Sequence, residues 1–189
     1  MKRSKRLRLL SFVVILLTSM RAELYWITDA PHGRLATMPR PRAGDWLADE
    51  LTSMKTLGVD AVVSLLTNDE IAELELQHEP SICKDIGLTY ISYAIADRNV
   101  PTSVDDFLAF TNHLHDFLCD DRGVAIHCRM GIGRSSLVAA CLLVKSGLSV
   151  SAAFASISRA RGIDVPDTND QLEWVQSISG RLQNRTNAK

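Results

Sequence analysis

Cysteine is scarce in this chain. The 189 residues include four cysteines, Cys83, Cys119, Cys128 and Cys141. They have neither the short paired spacing of zinc ligands nor the density of a disulfide-stabilised secreted domain. The sequence therefore predicts no metal and no other cofactor, and it favours a reducing compartment in which a free thiol persists.

Long hydrophobic runs are also absent. A basic N-terminal stretch leads into an apolar segment, Leu9 to Thr18, which is too short to span a bilayer and matches the core of a signal peptide. The cleavage pattern is poor, because Met20 stands two residues before Ala22 where a small residue is wanted. We therefore expect a cytoplasmic protein that starts at Met20. The alternative is a membrane-tethered or exported protein that retains residues 1–22.

The body of the chain has no excess of positive charge. Five of the 21 Lys and Arg residues fall within the first eight positions, and the formal net charge is -1. The remaining sequence is therefore acidic on balance. This argues against a nucleic-acid partner, because such binding depends on basic surfaces.

No internal repeat is present, and predicted strands alternate with predicted helices. Strands are expected at 24–27, 35–38, 59–66, 88–95 and 124–126, and helices at 44–57, 68–77, 103–119, 134–147, 149–161 and from 169 into the 180s. This alternation predicts a single α/β domain with a central, mostly parallel sheet and helices on both faces. The domain is expected to span residues 23–182, between an N-terminal extension (1–22) and a polar tail (183–189).

The most informative stretch is the segment 127–135, His-Cys-Arg-Met-Gly-Ile-Gly-Arg-Ser. It places Cys128 at the end of a strand and Arg134 at the start of a helix, whose free N–H groups favour an anion. Gly131 and Gly133 permit a tight loop with N–H groups turned inward. The Arg134 guanidinium can hold two phosphate oxygens. The same positive field favours the thiolate of Cys128, which is a nucleophile for phosphorus.

This segment resembles the signature loop of the cysteine-dependent protein tyrosine and dual-specificity phosphatases. The match consists of Cys128, five intervening residues and Arg134, with His127 before the cysteine and Ser135 after the arginine. The resemblance covers residues 25–176 and implies the fold of that family. It also implies a substrate-binding loop made of Arg129, Met130, Gly131, Ile132, Gly133 and Arg134.

Cleavage of a phosphate ester by a thiolate needs a proton donor at the same edge of the sheet. Asp97 is the first polar residue after the strand predicted at 88–95. In the family that this chain resembles, the general acid is an Asp in such a loop, at a spacing close to the 31 residues that separate Asp97 from Cys128. Asp164 and Asp167, before the last predicted helix, are the alternative candidates.

Two further residues take roles from the resemblance. Gln171 corresponds to a glutamine that positions water for hydrolysis of the thiophosphate, although its spacing from Thr168 is also that of a capping box. Ser135 corresponds to a hydroxyl that bonds the cysteine sulfur and eases its departure; otherwise it is a helix cap. His127 is expected to face away from the phosphate, because adjacent strand residues point to opposite faces.

Together these residues predict a metal-independent protein phosphatase. The resemblance implies that Cys128 attacks the phosphoryl group held by Arg134, and that Asp97 protonates the leaving oxygen and then activates water. Arg129 is the one basic side chain within 129–133. Family members that act on polyphosphorylated lipids or inositols tend to have more basic loops, so the resemblance favours a phosphorylated protein. The short chain has no obvious insertion to build a deep slot, so we expect a shallow cleft that admits phosphotyrosine and also phosphoserine or phosphothreonine. The alternatives are a phosphatase for a small metabolite or phosphoinositide, and an inactive module that only binds phosphorylated partners.

Overall fold

The computed structural model describes residues 22–183. Residues 1–21 of the predicted N-terminal extension (1–22) and residues 184–189 of the predicted polar tail (183–189) lie outside this range. The described part has five strands, β1 Tyr25–Ile27, β2 Arg34–Met38, β3 Ala61–Ser64, β4 Thr89–Ser92 and β5 Gly123–His127. After a 3₁₀ turn at Gly44–Trp46, its helices are α1 Leu47–Thr56, α2 Asn68–Glu73, α3 Glu79–Asp85, α4 Val104–Cys119, α5 Arg134–Lys145, α6 Val150–Arg161 and α7 Asn169–Gln183.

The strands form one sheet in the order β1-β2-β5-β3-β4. β1 runs antiparallel to β2, and the remaining pairings are parallel. At the carboxyl end of the parallel part, His127 lies between Met38 of β2 and Ser64 of β3. The chain after β5 therefore emerges between two neighbouring strand ends, where open α/β sheets bind ligands.

Helices cover both faces of the sheet, and its central strands are therefore buried on both sides. On one face, α1 to α3 enclose a cluster that includes Leu51, Val62 and Ala125. On the other face, α4 to α7 enclose a larger cluster that includes Phe107 and Ile126. Every residue of α5 is buried, so its first turn is held firmly beneath the carboxyl end of the sheet. The predicted α/β architecture is thus confirmed.

The elements differ from the predictions in their limits. The segment 68–77 is helical only in α2, and a further helix that was not predicted, α3, has Pro80 in its first turn. Proline is tolerated in a first turn, since its missing N–H would have no helical partner there. The run 59–66 is paired as a strand only in β3, although Val59, Leu65 and Leu66 outside that strand are buried as well.

His127 ends β5, and its side chain lies on the face of α1 to α3. Its Nε2 is 3.1 Å from Oε1 of Glu79 in the first turn of α3, and both side chains are fully buried. This distance is short enough for an ion pair. The geometry is not that of a hydrogen bond, and neither Nε2 of His127 nor Oε1 of Glu79 has a hydrogen-bond partner among the described residues. The contact joins α3 to the strand that carries Cys128 at its end.

We expect Glu79→Ala to lower the free energy of unfolding by about 3 kcal/mol, because removing one partner leaves the other buried and uncompensated. Denaturant unfolding followed by circular dichroism measures the change. The control is Glu173→Ala, which alters an exposed carboxylate on α7 and should change the free energy by less than about 0.5 kcal/mol. Equal stability of Glu79→Ala and the unmodified protein would rule out a stabilising role for the pair.

Candidate active site

The loop between β5 and α5 surrounds the sulfur of Cys128 with hydrogen-bond donors. The backbone N–H of Gly131 donates to Sγ over 3.3 Å. The hydroxyl of Ser135 lies 3.7 Å from the same sulfur. Cys128 is only 3% exposed, so these groups provide much of the polar environment that a thiolate needs. The Ser135 hydroxyl is close to the sulfur, and the role that the family resemblance implies for it stays a prediction.

The loop owes its shape to close packing against the end of β2. Gly131 has a φ of +68°, and a Cβ at this position would lie 2.3 Å from the carbonyl oxygen of Met38. No other residue fits without displacing the backbone of one segment or the other. Two residues beyond Met38, the Arg40 N–H donates to the carbonyl of Arg129 over 3.3 Å. The neighbouring strand thus fixes the curvature of the loop.

Arg134 is held by four hydrogen bonds. Its Nη1 donates to Glu70 Oε2 over 2.7 Å and to the carbonyl of Ile95 over 2.8 Å. Its Nη2 donates to Glu70 Oε1 over 3.0 Å and to Asp97 Oδ1 over 2.8 Å. Burial alone would lower the pKa of Arg134, but the bonds to Glu70 raise it above its ordinary value. The guanidinium is therefore a fixed positive charge beneath the loop.

Glu70 is a site residue that the sequence interpretation missed. It lies in the first turn of α2 and forms a capping box with Thr67. Burial would raise the pKa of this carboxyl, but the hydrogen bonds from Arg134 and the Thr67 backbone outweigh it and lower the pKa to about 2. The sequence indicates the capping box, because a Thr-x-x-Glu motif follows a buried strand, but it does not indicate the contact with Arg134. The helix was predicted from residue 68, and this cap was not recognised.

The side chain of Arg129 does not point into the loop. Its Nη1 and Nη2 donate to the two carboxylate oxygens of Glu73, over 3.0 and 2.8 Å, and its Nε donates to Glu70 over 3.3 Å. The other predicted loop residues differ in exposure. Met130 is 60% exposed at the rim, while Ile132 lies partly buried beside the larger apolar cluster. Arg129 therefore contributes its backbone to the loop, while its side-chain charge is paired with Glu73 and Glu70.

A cleft of about 230 Å³ opens above the sulfur. It is lined by Asp97, Arg98, Cys128, Arg129, Met130, Ile132, Gly133, Arg134, Asp167 and Gln171. The structure thus brings most of the predicted site residues to one place, while Ser135 lies beneath the floor. Asp97 reaches the cleft from the loop after β4, and its side chain is 58% exposed. It can therefore contact Arg134 and still exchange with solvent.

The alternative acids occupy different positions. Asp167 lines the cleft, where its Oδ2 is 3.2 Å from Nη1 of Arg98. Asp164 is exposed and is not among the residues that line the cleft. Asp97 is the one of the three whose carboxylate contacts Arg134. The pairing of Arg98 with Asp167 across the rim was not foreseen from the sequence.

The backbone and the side chain of Gln171 make separate contacts. Its backbone N–H donates to Thr168 Oγ1 over 3.3 Å, as an N-terminal cap requires. Its side chain extends to the loop that carries Asp97, where Nε2 donates to the carbonyl of Asn99 over 3.3 Å. A Cβ on Gly133 would lie 2.8 Å from Oε1 of Gln171. The amide group thus lies between the phosphate loop and the Asp97 loop.

Two kinds of feature are absent from residues 22–183. That part of the chain has no group of three or more His, Cys, Asp or Glu side chains arranged to hold a metal ion. None of its helices combines the length and the apolar character needed to cross a membrane.

Comparison with known proteins identifies curated relatives of this chain. Rat cyclin-dependent kinase inhibitor 3 is 26% identical over 131 residues, which cover 68% of this chain and 61% of that protein. The human protein of the same name matches with the same identity and coverage. The chain thus spans about three fifths of the length of these relatives.

Solved structures agree with this comparison. A kinase-associated phosphatase, with its catalytic-site cysteine replaced by serine, has a TM-score of 0.74 at 21% identity over 86% of this chain and 96% of its own. At that identity the likeness is one of fold. The active form of Tk-PTP has a TM-score of 0.65 at 28% identity over 79% of this chain and 93% of its own.

A family model supplies the assignment. The model described as "Tc-R-P: Polymorphic toxin system, DSP-PTPase phosphatase" matches residues 36–148. This match spans more than half of the chain and includes the whole loop from Cys128 to Arg134. The chain therefore belongs to the DSP-PTPase family, the cysteine-dependent dual-specificity and tyrosine phosphatases.

Proposed function

We propose that this protein is a metal-independent phosphatase that hydrolyses phosphate monoesters on a protein through a phosphocysteine at Cys128. One observation carries the proposal. The sulfur, the inward N–H of Gly131 and the Arg134 guanidinium meet at the floor of a single cleft, and Asp97 stands at its side. A nucleophile, an anion site and a proton donor are the groups that this hydrolysis needs.

Substrate binding requires Asp97 to give up its contact with Arg134. In the structure the Asp97 carboxylate occupies an Nη2 donor of Arg134 at 2.8 Å. A phosphoryl group that binds beside Nη2 takes over this donor and repels the carboxylate. The displaced Asp97 is then free to approach the leaving oxygen as the proton donor.

The reaction then follows in two displacements. The Cys128 thiolate attacks phosphorus, the bond to the ester oxygen breaks, and Asp97 gives that oxygen its proton. In the second step the Asp97 carboxylate takes a proton from water, which attacks phosphorus and releases inorganic phosphate. The departing thiolate is stabilised by the Gly131 N–H and the Ser135 hydroxyl. Oε1 of Gln171, which is buried without a partner among the described residues, supports a role in orienting this water.

The charges around the cleft favour a phosphoprotein over a polyanionic lipid. The charge of Arg129 is balanced by Glu70 and Glu73, and that of Arg98 by Asp167. Arg134 is therefore the main positive charge offered to the phosphate, which suits one phosphoryl group on tyrosine, with serine or threonine also admitted by the open cleft. Two relatives have names that associate those proteins with kinases. A thiolate nucleophile also favours a reducing compartment, and we place the protein in the cytoplasm.

The first prediction from the proposed function concerns the nucleophile and the proton donor. With an aryl phosphate in the presence of EDTA, we expect Cys128→Ser to be inactive and Asp97→Ala to be slower by about 10²- to 10⁴-fold. The loss in Asp97→Ala should be larger for phenyl phosphate than for an ester with an acidic leaving group, because only the former needs a proton. A residual rate in Cys128→Ser equal to that of the unmodified protein would exclude the phosphocysteine.

The second prediction concerns the contact between Asp97 and Arg134. We expect Asp97→Asn to bind inorganic phosphate more tightly than the unmodified protein, by about 3- to 10-fold, because a charged competitor for Nη2 has been removed. Isothermal titration calorimetry measures the affinity, and Asp164→Asn serves as a control at an exposed carboxylate away from the cleft. Unchanged or weaker binding in Asp97→Asn would show that the carboxylate does not compete with phosphate.

The third prediction concerns the substrate. We expect kcat/KM for a phosphotyrosine peptide to exceed that for vesicles containing a phosphoinositide and for phosphorylated metabolites by about 10-fold or more. A preference for the vesicles would replace the protein substrate with a lipid. If no ester is hydrolysed under reducing conditions while phosphopeptide still binds, the protein acts as a binding module.

A further inference from the structure

We propose that Arg98 is a specificity residue that binds an acidic side chain next to the phosphorylated residue of a protein substrate. The inference rests on the proposed function, because it concerns the peptide whose phosphate enters the cleft. It adds the class of sequence that the cleft prefers, which is a phosphotyrosine flanked by aspartate or glutamate. Three features of Arg98 carry it: the backbone conformation, the position at the cleft and the exposed charge.

The backbone conformation of Arg98 suits glycine better than arginine. Arg98 is the third residue of a turn that is closed by a hydrogen bond from the Asn99 N–H to the Ala96 carbonyl over 3.0 Å, and its φ is +60°. Turns with a positive φ at the third position favour Gly or Asn there. A long side chain that is retained in such a conformation beside a site points to a function for that side chain.

The other non-glycine residues with a positive φ have an ordinary structural reason. Among the described residues these are Glu75 and Asp121. Each directly follows the residue that caps a helix, α2 in one case and α4 in the other, where a left-handed residue commonly ends the helix. Arg98 follows a strand and its loop, so the end of a helix does not account for its conformation.

Arg98 lies where the body of a substrate leaves the cleft. It lines the cleft together with Asp97, and its side chain is 64% exposed. In the proposed mechanism Asp97 must contact the leaving oxygen. The part of the substrate that is attached to this oxygen therefore extends past the turn that carries both residues. A side chain that flanks phosphotyrosine can in this way come within reach of the Arg98 guanidinium.

The charge of Arg98 can be shared with a second carboxylate. In the free protein it is balanced by Asp167, whose Oδ2 lies 3.2 Å from Nη1 of Arg98 and whose side chain is 37% exposed. An exposed ion pair of this kind contributes little free energy, so it yields readily to a competitor. A guanidinium also has five N–H donors in a planar fork, and such a fork can bind a peptide carboxylate with two parallel hydrogen bonds.

A second exposed ion pair provides a matched control. Arg159 on α6 contacts Asp29, and the two side chains are 66% and 44% exposed, close to the values for Arg98 and Asp167. Neither Arg159 nor Asp29 is among the residues that line the cleft. Substitutions in this pair remove the same charges without altering the mouth of the cleft, so they separate a local contact from the effect of net charge.

The test compares two phosphotyrosine peptides, one with glutamate on both sides of the phosphotyrosine and one with glutamine instead. All proteins carry Cys128→Ser, so that the peptide is bound without being hydrolysed, and fluorescence anisotropy gives the Kd. We expect the glutamate peptide to bind about 3- to 5-fold more tightly. Arg98→Gln should remove this preference, while Arg159→Gln should retain it. The absence of a preference before substitution, or its survival in Arg98→Gln, would overturn the proposal.

Substitution of Asp167 should act in the opposite direction. Asp167→Asn removes the negative charge that competes with the peptide for Arg98, so the preference for the glutamate peptide should increase by about 2- to 3-fold. Asp29→Asn should leave the preference as it was. If Asp167→Asn leaves the preference unchanged or lowers it as Arg98→Gln does, Arg98 and Asp167 act only as a structural pair and the proposal fails.

Arg98→Gly covers the case in which Arg98→Gln disturbs the turn. Glycine adopts a positive φ without steric cost, so this variant retains the turn while it removes the guanidinium. We expect Arg98→Gly to unfold at no lower temperature than the protein with Arg98, and to lose the preference for the glutamate peptide. A preference that persists in folded Arg98→Gly would contradict the assignment.

Failure of this inference differs from failure of the proposed function, because the preference is measured apart from turnover. A protein with Cys128 intact that hydrolyses both peptides, but whose binding does not distinguish them, keeps the enzyme and loses the inference. A protein that binds the glutamate peptide preferentially through Arg98, and hydrolyses neither peptide, keeps the inference and loses the enzyme.

Discussion

A buried arginine is the constraint around which this site is built. An ionised group taken out of water must be paired and hydrogen-bonded, or the fold does not tolerate it. Arg134 is 1% exposed, and its partners come from two separate parts of the chain, the helix that follows β3 and the segment that follows β4. Because the charge of Arg134 needs partners, segments that are far apart in sequence lie close together at this site.

The same constraint distinguishes the two carboxylates that contact the guanidinium. Glu70 is buried at a helix N-terminus, whose dipole and free N–H groups favour a fixed negative charge. Asp97 sits on an exposed loop and makes one contact with the guanidinium. A permanent partner keeps the arginine charged and oriented, while an exchangeable partner can yield to an incoming oxyanion. Electrostatic preorganisation of this kind reduces the reorganisation that catalysis requires.

The sequence predicted the parts of the site that are local. Cys128, Gly131 and Arg134 lie within one loop, where spacing and residue type carry the information. The sheet and its flanking helices followed from hydrophobic periodicity, and the confirmed fold matches that expectation. The role of Glu70 depends on a contact with a residue 64 positions away, which no local pattern encodes. Likewise the short helix α3 was missed, because Pro80 in a first turn looks the same in sequence as a helix breaker.

The pairing of Arg129 has a consequence for how chains of this kind diverge. Arg129 belongs to the signature loop, but Glu73 and Glu70 on α2 pair with its side chain. These two carboxylates therefore determine how much of its positive charge acts on the cleft. The electrostatic character of the loop is therefore set partly by a helix that the signature does not include. Two chains with identical loops can present different fields to a substrate, and selection on that helix can alter substrate range while the catalytic sequence stays unchanged.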